Sequence, residues 1–239
     1  MGRYFFEKKM IFSPFSQTSP FLKIGIFGGS FNPPHLAHFQ GLEKLLTQQK
    51  LDKILISPSS NPFKQREDYL PINLRTAMIE AAFQPLIKCQ NQQQNAKTQL
   101  LFDWFEAYQP QPTYTEDLLQ RYRNAYGEKH EFFLILGADL LSEIFHWRGL
   151  NTWSKEIQWI ILRRLGEKEE TYPTQIPEVL QPYLLKAQFL NFHLPRMESK
   201  KIREKLFQPY TPALEEELST FLPVGALKIW QKWSQGLLV

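Results

Sequence analysis

From residue 23 onward, short apolar runs of strand character alternate with segments of helical period, and that alternation leaves the chain very few architectures. KIGIF at 23 to 27 is followed by LAHFQGLEKLLTQQK at 36 to 50, where Leu36, Phe39, Leu42, Leu45 and Leu46 recur three or four apart and mark one helical face. The pattern continues through KILIS (53 to 57), LRTAMIEAAF (74 to 83), LFDWF (101 to 105), TEDLLQRYRNAY (115 to 126), FFLIL (132 to 136), IQWIIL (157 to 162) and FLNFHL (189 to 194). Strand then helix, repeated, predicts an α/β fold: a Rossmann-like, doubly wound, mostly parallel sheet flanked by helices. SKKIREKLF, ALEEELSTFL and GALKIWQKW, set off by Pro209, Pro212 and Pro223, predict a helical C-terminal part.

The 239 residues, 43% apolar and 14% aromatic, suffice for one well-filled core, and the expected division is an N-terminal extension over 1–22 and a single domain over 23–239. NPFKQRED at 61 to 68 reads as a polar loop and QNQQQNAKTQ at 90 to 99 as a solvated insertion, and no internal repeat is visible. In the extension, Lys8 and Lys9 precede a weakly apolar stretch, but Ser13, Pro14, Ser16, Gln17, Thr18 and Pro20 break it up, which argues against a secretory signal. No run approaches the roughly 18 apolar residues of a membrane span. Cys89 is the single cysteine, so an intrachain disulfide and a cysteine-rich zinc site are both excluded; the expected location is cytoplasmic. A formal charge of +4 suits an anionic ligand and, without a basic tail, gives little support to a nucleic-acid binder.

GIFGGSFNPPHLAH, residues 25 to 38, concentrates three glycines, two prolines and two histidines directly after the first predicted strand. A dinucleotide loop wants G-x-G-x-x-G, and glycines at 25, 28 and 29 miss that spacing. A Walker loop ends in Gly-Lys-Ser/Thr, and no lysine lies between Lys23 and Lys44. Zinc would need more than His35 and His38, and no Asp or Glu lies between residues 24 and 42. There remains a strand ending in a glycine turn, then a proline-stiffened loop and a helix start carrying two histidines, an arrangement suited to phosphate.

Gly29, Phe31, Pro33, His35 and His38 in G-S-F-N-P-P-H-L-A-H resemble the G-x-F-x-P-x-H-x-G-H signature of the nucleotidyltransferase superfamily that makes NAD, coenzyme A and related dinucleotides. Further segments follow in order. QPTYTEDLL (111 to 119) resembles S-Y-T-x-D-T-L, LGADLLSEIFHW (136 to 147) resembles G-x-D-x-L followed by tryptophan, and IILRRLG (160 to 166) resembles a strand ending in Arg-Pro-Gly. MESKKIREKL (197 to 206) resembles an I-S-S-T-x-I-R helix start, and LPVGALKIWQKWSQGLL the closing helix. Together these cover roughly residues 23 to 238 and most resemble the bacterial nicotinate-nucleotide adenylyltransferase family. The chain departs from the pattern at Asn32, where this branch usually has aspartate, at Ala37, where it has glycine, at Leu165, where it has proline, and at Lys200, where it has a small hydroxyl residue.

The resemblance implies adenylyl transfer from ATP to nicotinate mononucleotide, with pyrophosphate released. It implies that His35, His38 and Arg203 are catalytic. It also implies that Gly28, Gly29, Ser30, Phe31, Asp139, Arg164, Ser199, Lys200 and Ile202 join those three in binding ATP. Lys64, in NPFK, and Tyr114, Thr115 and Asp117 would bind the mononucleotide, whose ring would stack on Trp147. No residue is expected to be a metal ligand; Mg2+ would arrive with ATP. The expected partners are the two substrates, with no nucleic acid and no membrane, and homo-oligomerisation is left open. Each piece has an ordinary alternative: Asp139 or Thr115 as a helix cap, Trp147 as core, Ser199–Arg203 as a solvated basic helix, and His146 and His193 as structure. Rival functions are transfer to nicotinamide mononucleotide or phosphopantetheine, a catalytically weakened nucleotide-binding homologue, and a basic RNA-binding module.

Overall fold

The computed structural model describes residues 21–59, 69–92, 98–111, 113–165, 178–184, 187–193 and 197–238. Six strands form one sheet: β1 (Lys23–Gly29), β2 (Lys53–Pro58), β3 (Gln99–Phe102), β4 (Glu131–Gly137), β5 (Gln158–Leu165) and β6 (Gln188–His193). Their spatial order is β3-β2-β1-β4-β5-β6, and every pairing is parallel. The order reverses between β1 and β4, the place where an open parallel sheet offers a crevice at its carboxyl edge. Eight helices are described: α1 (Leu36–Gln48), α2 (Ile72–Gln92), α3 (Thr115–Tyr126), α4 (Leu150–Trp153), α5 (Gln181–Leu184), α6 (Ser199–Leu206), α7 (Pro212–Ser219) and α8 (Val224–Ser234).

Alternate strand residues point to opposite faces. Phe27, Ile54, Ile56, Phe133, Ile135, Ile160 and Leu162 enter a core shared with α1, α2 and α6 to α8. Ile24, Ile26, Leu55, Phe132, Leu134, Trp159 and Ile161 enter a second core under α3 and α4. Both faces are thus apolar, which is why the strands read as nearly unbroken apolar runs. Gly25 belongs to this packing: a Cβ there would come within 2.8 Å of Ile135 Cδ1 and Leu51 Cδ1.

The predicted elements recur with adjusted ends. The helix expected over 74–83 runs from 72 to 92 and passes through Pro85. Proline has no N–H to offer the Ala81 carbonyl four residues back. Gly225 of α8 approaches that same carbonyl so closely that a Cβ would lie 2.0 Å from its oxygen. The run expected at 101–105 pairs only as far as Phe102, because Asp103 turns into a buried polar cluster instead of continuing the ladder. The N-terminal residues 1–20 and the loop at 61–68 lie outside the described residues, as does the 93–97 part of the insertion. Among the described residues no helix is long and apolar enough to cross a membrane.

Candidate active site

At the carboxyl edge of β1 the chain turns sharply. Phe31 takes a left-handed conformation with φ 42, the Asn32–Pro33 peptide is cis, and α1 begins three residues later. The Phe31 ring is buried between Phe27 and Phe83, with centroids 5.4 and 5.7 Å away, which fixes the unusual backbone from below. Two arginines hold the loop from either side. Arg75 of α2 donates from Nη1 to the Ser30 carbonyl at 2.8 Å, and Arg203 of α6 donates from Nη1 to the Asn32 carbonyl at 2.8 Å. Both guanidinium groups belong to buried residues. Asn32 Oδ1 accepts the Leu70 amide at 3.2 Å, while its Nδ2 is buried with no partner among the described residues. The acceptor half of that amide does what a carboxylate oxygen would do; the other half carries the cost of the exchange.

His35 is the N-cap of α1, and its backbone N–H donates to His38 Nδ1 at 3.2 Å. The two imidazoles stack, with centroids 3.7 Å apart and planes 21° from parallel. With Nδ1 accepting, the neutral His38 ring carries its proton on Nε2, so it presents a donor there. His38 also meets the Phe31 ring edge-on at 4.9 Å. Ala37 points the other way, into the hydrophobic core, so its methyl group is taken up by packing. The first amide of α1 is received from far along the chain: Leu36 N–H donates to the Phe221 carbonyl at 2.8 Å.

The remaining sequence-predicted residues follow the carboxyl ends of other strands. After β3, Tyr114 caps α3 and its amide is received by Asp117; Thr115 is the first helical residue, not the cap. After β4, Asp139 lies exposed in a 3-10 turn, its carboxylate folded back so that a Cβ on Gly137 would stand 2.3 Å from Oδ1. Trp147 is half-buried, with its ring 6.4 Å from that of Trp153. After β6, Ser199 opens α6, Ile202 and Arg203 are buried, and Lys200 is exposed at 3.9 Å from Glu204. Arg164 is on β5, opposite Phe192 of β6; its side chain, like all of Lys64, lies outside the described residues.

Sequence reasoning missed a polar cluster on the β2–β3 side. Asp103 Oδ2 accepts from Tyr122 Oη at 2.7 Å and Arg121 Nη1 at 2.9 Å, and Tyr122 Oη lies 3.3 Å from Ser57 Oγ. Burial, aided by Asp103, pushes the Tyr122 phenol well above its ordinary range. Nearby, burial and Asp103 push the Glu106 carboxyl up to about 7, against a hydrogen bond from Ser57 and the charge of Arg75. A cavity of about 360 Å³ opens beside Arg75, lined by Tyr69, Leu70, Ile72, Ala107, Tyr108 and Gln109. The sequence signal was a lone Asp inside LFDWF and a lone Arg inside LRTAMIEAAF, each of which reads as an ordinary polar letter. Among the described residues, no three His, Cys, Asp or Glu side chains are grouped to hold a metal ion.

Residues 26–205 match the cytidylyltransferase-like family. A nicotinate-nucleotide adenylyltransferase of Bacillus subtilis (strain 168) is 34% identical over 159 residues, 66% of this chain and 78% of that protein. The chain belongs to the nicotinate-nucleotide adenylyltransferase family. A relative from Clostridium tetani (strain Massachusetts / E88), named "Probable nicotinate-nucleotide adenylyltransferase", is 28% identical over 212 residues and spans 88% of this chain and 97% of its own length. The fold is shared with Plasmodium falciparum nicotinic acid mononucleotide adenylyltransferase complexed with NaAD, at a TM-score of 0.62 and 20% identity, covering 89% of this chain and 96% of that one. Adenylyltransferases of this kind use a divalent metal together with ATP. Of the departures from the family pattern, Ala37 is accommodated by packing, whereas Asn32 keeps an acceptor contact through Oδ1 and leaves Nδ2 buried without a partner among the described residues.

Proposed function

We infer that the protein transfers the adenylyl group of ATP to nicotinate mononucleotide, forming nicotinate adenine dinucleotide and pyrophosphate, a step of NAD biosynthesis. The observation that carries this reading is the stacked His35–His38 pair at the start of α1, beside the glycine turn where the strand order reverses. A phosphate oxygen of the mononucleotide attacks the α-phosphorus of ATP; the new P–O bond forms as the bond to the β-phosphate oxygen breaks, and the electron pair leaves with pyrophosphate. A phosphate monoester has its second pKa near about 6, so the nucleophile is already an anion and needs no strong base. What the protein supplies is position and neutralisation of crowded negative charge.

On this reading the Nε2 donor of His38 faces the triphosphate, where the positive end of the α1 dipole adds to it. Gly28 and Gly29 leave the backbone open: among the described residues a Cβ would meet only the Ser57 carbonyl at 3.9 Å and the Phe31 ring at 3.5 Å, an opening that suits close approach of a phosphate. Ser30, Phe31, Asp139, Arg164, Ser199, Lys200, Ile202 and Arg203 complete the ATP side, with Arg203 acting partly through the loop it holds. Lys64, Tyr114, Thr115, Asp117 and Trp147 form the acceptor side, the pyridine ring on Trp147 and its substituent toward the amides at Tyr114 and Thr115. Mg2+ enters as part of the ATP substrate. A cytoplasmic location remains part of the reading, supported by the single cysteine.

The test is pyrophosphate release measured with ATP and, in parallel, nicotinate mononucleotide, nicotinamide mononucleotide and phosphopantetheine. The acid mononucleotide is expected to give the highest kcat/KM. ATP binding without pyrophosphate release on any acceptor would overturn the assignment.

A further inference from the structure

Arg148 follows Trp147 in the turn after β4 and reaches across to the first turn of α3. Its Nη2 donates to Asp117 Oδ1 at 2.6 Å and its Nε to Glu116 Oε2 at 3.2 Å. The guanidinium carbon also stands 3.9 Å from the centre of the Tyr114 ring. One side chain therefore ties the loop after β4 to the helix start after β3, which are separate stretches of sequence. The neighbouring backbone is shaped for that approach. Gly149 has φ 68, and a Cβ on it would lie 2.9 Å from the Glu116 carboxylate. The Arg148 carbonyl accepts the Trp153 indole N–H at 2.8 Å, which anchors the residue from below.

We propose that Arg148 is a specificity-determining residue for the acceptor: by offsetting the charge of Glu116 and Asp117 beside Tyr114, it favours a mononucleotide whose ring bears a carboxylate over one whose ring bears an amide. This rests on the functional reading above, in which the acceptor ring lies on Trp147 with its substituent toward Tyr114 and Thr115. Without Arg148, the two carboxylates in the first turn of α3, of which Asp117 reaches the Tyr114 amide, repel a third negative group and leave a neutral amide unaffected. For charges several ångströms apart in a partly exposed site, that repulsion corresponds to about three- to tenfold in relative affinity. A planar guanidinium can serve two carboxylates and stack on a ring at once, which a lysine ammonium cannot.

The experiment compares wild type, Arg148→Met, and Arg148→Met combined with Glu116→Gln, measuring kcat/KM for nicotinate and nicotinamide mononucleotides at saturating ATP, and KM for ATP. The expected result is a fall of about three- to tenfold in the acid-to-amide ratio in Arg148→Met, carried by KM for the acid, with KM for ATP unchanged. Glu116→Gln should then restore part of the ratio by removing one of the exposed charges. A clamp that only holds shape would raise KM for both acceptors equally and would not be rescued by Glu116→Gln; that result, or an unchanged ratio, overturns the proposal. A wild-type protein inactive on both mononucleotides would overturn the functional reading and this inference with it.

Discussion

On the proposed function, His38 has a task for each of its two ring nitrogens. Nδ1 accepts the His35 amide and so helps close the first turn of α1, while Nε2 is the donor we propose for the triphosphate. Removing the whole ring would confound the two, so the informative substitution is His38→Asn, whose side-chain oxygen can still accept the His35 amide. We expect turnover to fall by at least about a hundredfold, as loss of one preorganised donor to developing charge does, with the thermal unfolding midpoint close to wild type. His38→Ala should lose the same turnover and in addition about 1 kcal/mol of stability through the orphaned amide. Near-normal turnover in the Asn variant would take His38 out of the mechanism. These two histidines were legible in the sequence because a rare spacing after a strand has few other uses. Arg75, equally close to the loop through the Ser30 carbonyl, was not: one arginine on an otherwise ordinary helix looks solvated until the tertiary fold buries it.

Between elements, the closest backbone approach among the described glycines is that of α8 to α2, where Gly225 meets the Ala81 carbonyl left without its helical donor by Pro85. Glycine is required there by distance alone. Gly225→Ala should therefore destabilise the fold by about 3 kcal/mol, at the upper end for overpacking, measured by urea unfolding. An unchanged midpoint would show that α8 can slide on α2. Strand positions and most helices were readable from periodicity, because burial on both sheet faces writes itself into apolar runs. The end of β3 was not, since Asp103 leaves the ladder for partners on α3 that are distant in sequence. Nor could spacing reveal that Arg148 joins the helix start after β3 to the loop after β4; both segments were recognised, but not the contact between them.

At the scale of the whole molecule, stability should depend on pH through Glu106. Its carboxyl rises from 4.5 to about 7 because it is buried and close to Asp103. Between those values the folded chain retains a proton that the unfolded chain has released, so stability falls as pH rises through the window and levels off above it. In Glu106→Gln that slope should be absent, and the difference in Tm between variant and wild type should grow with pH up to about 7; parallel pH profiles would show that Glu106 titrates normally. The candidate groups come from the stretches after β1, β2, β3, β4 and β6 and from the end of β5, so the site forms only when stretches distant in sequence come together. The bond from the Leu36 amide to the Phe221 carbonyl carries this further. The amide that opens α1, next to the N-cap His35, is received by the turn between α7 and α8. The packing of α7 and α8 therefore bears directly on the geometry of the loop that carries the two histidines.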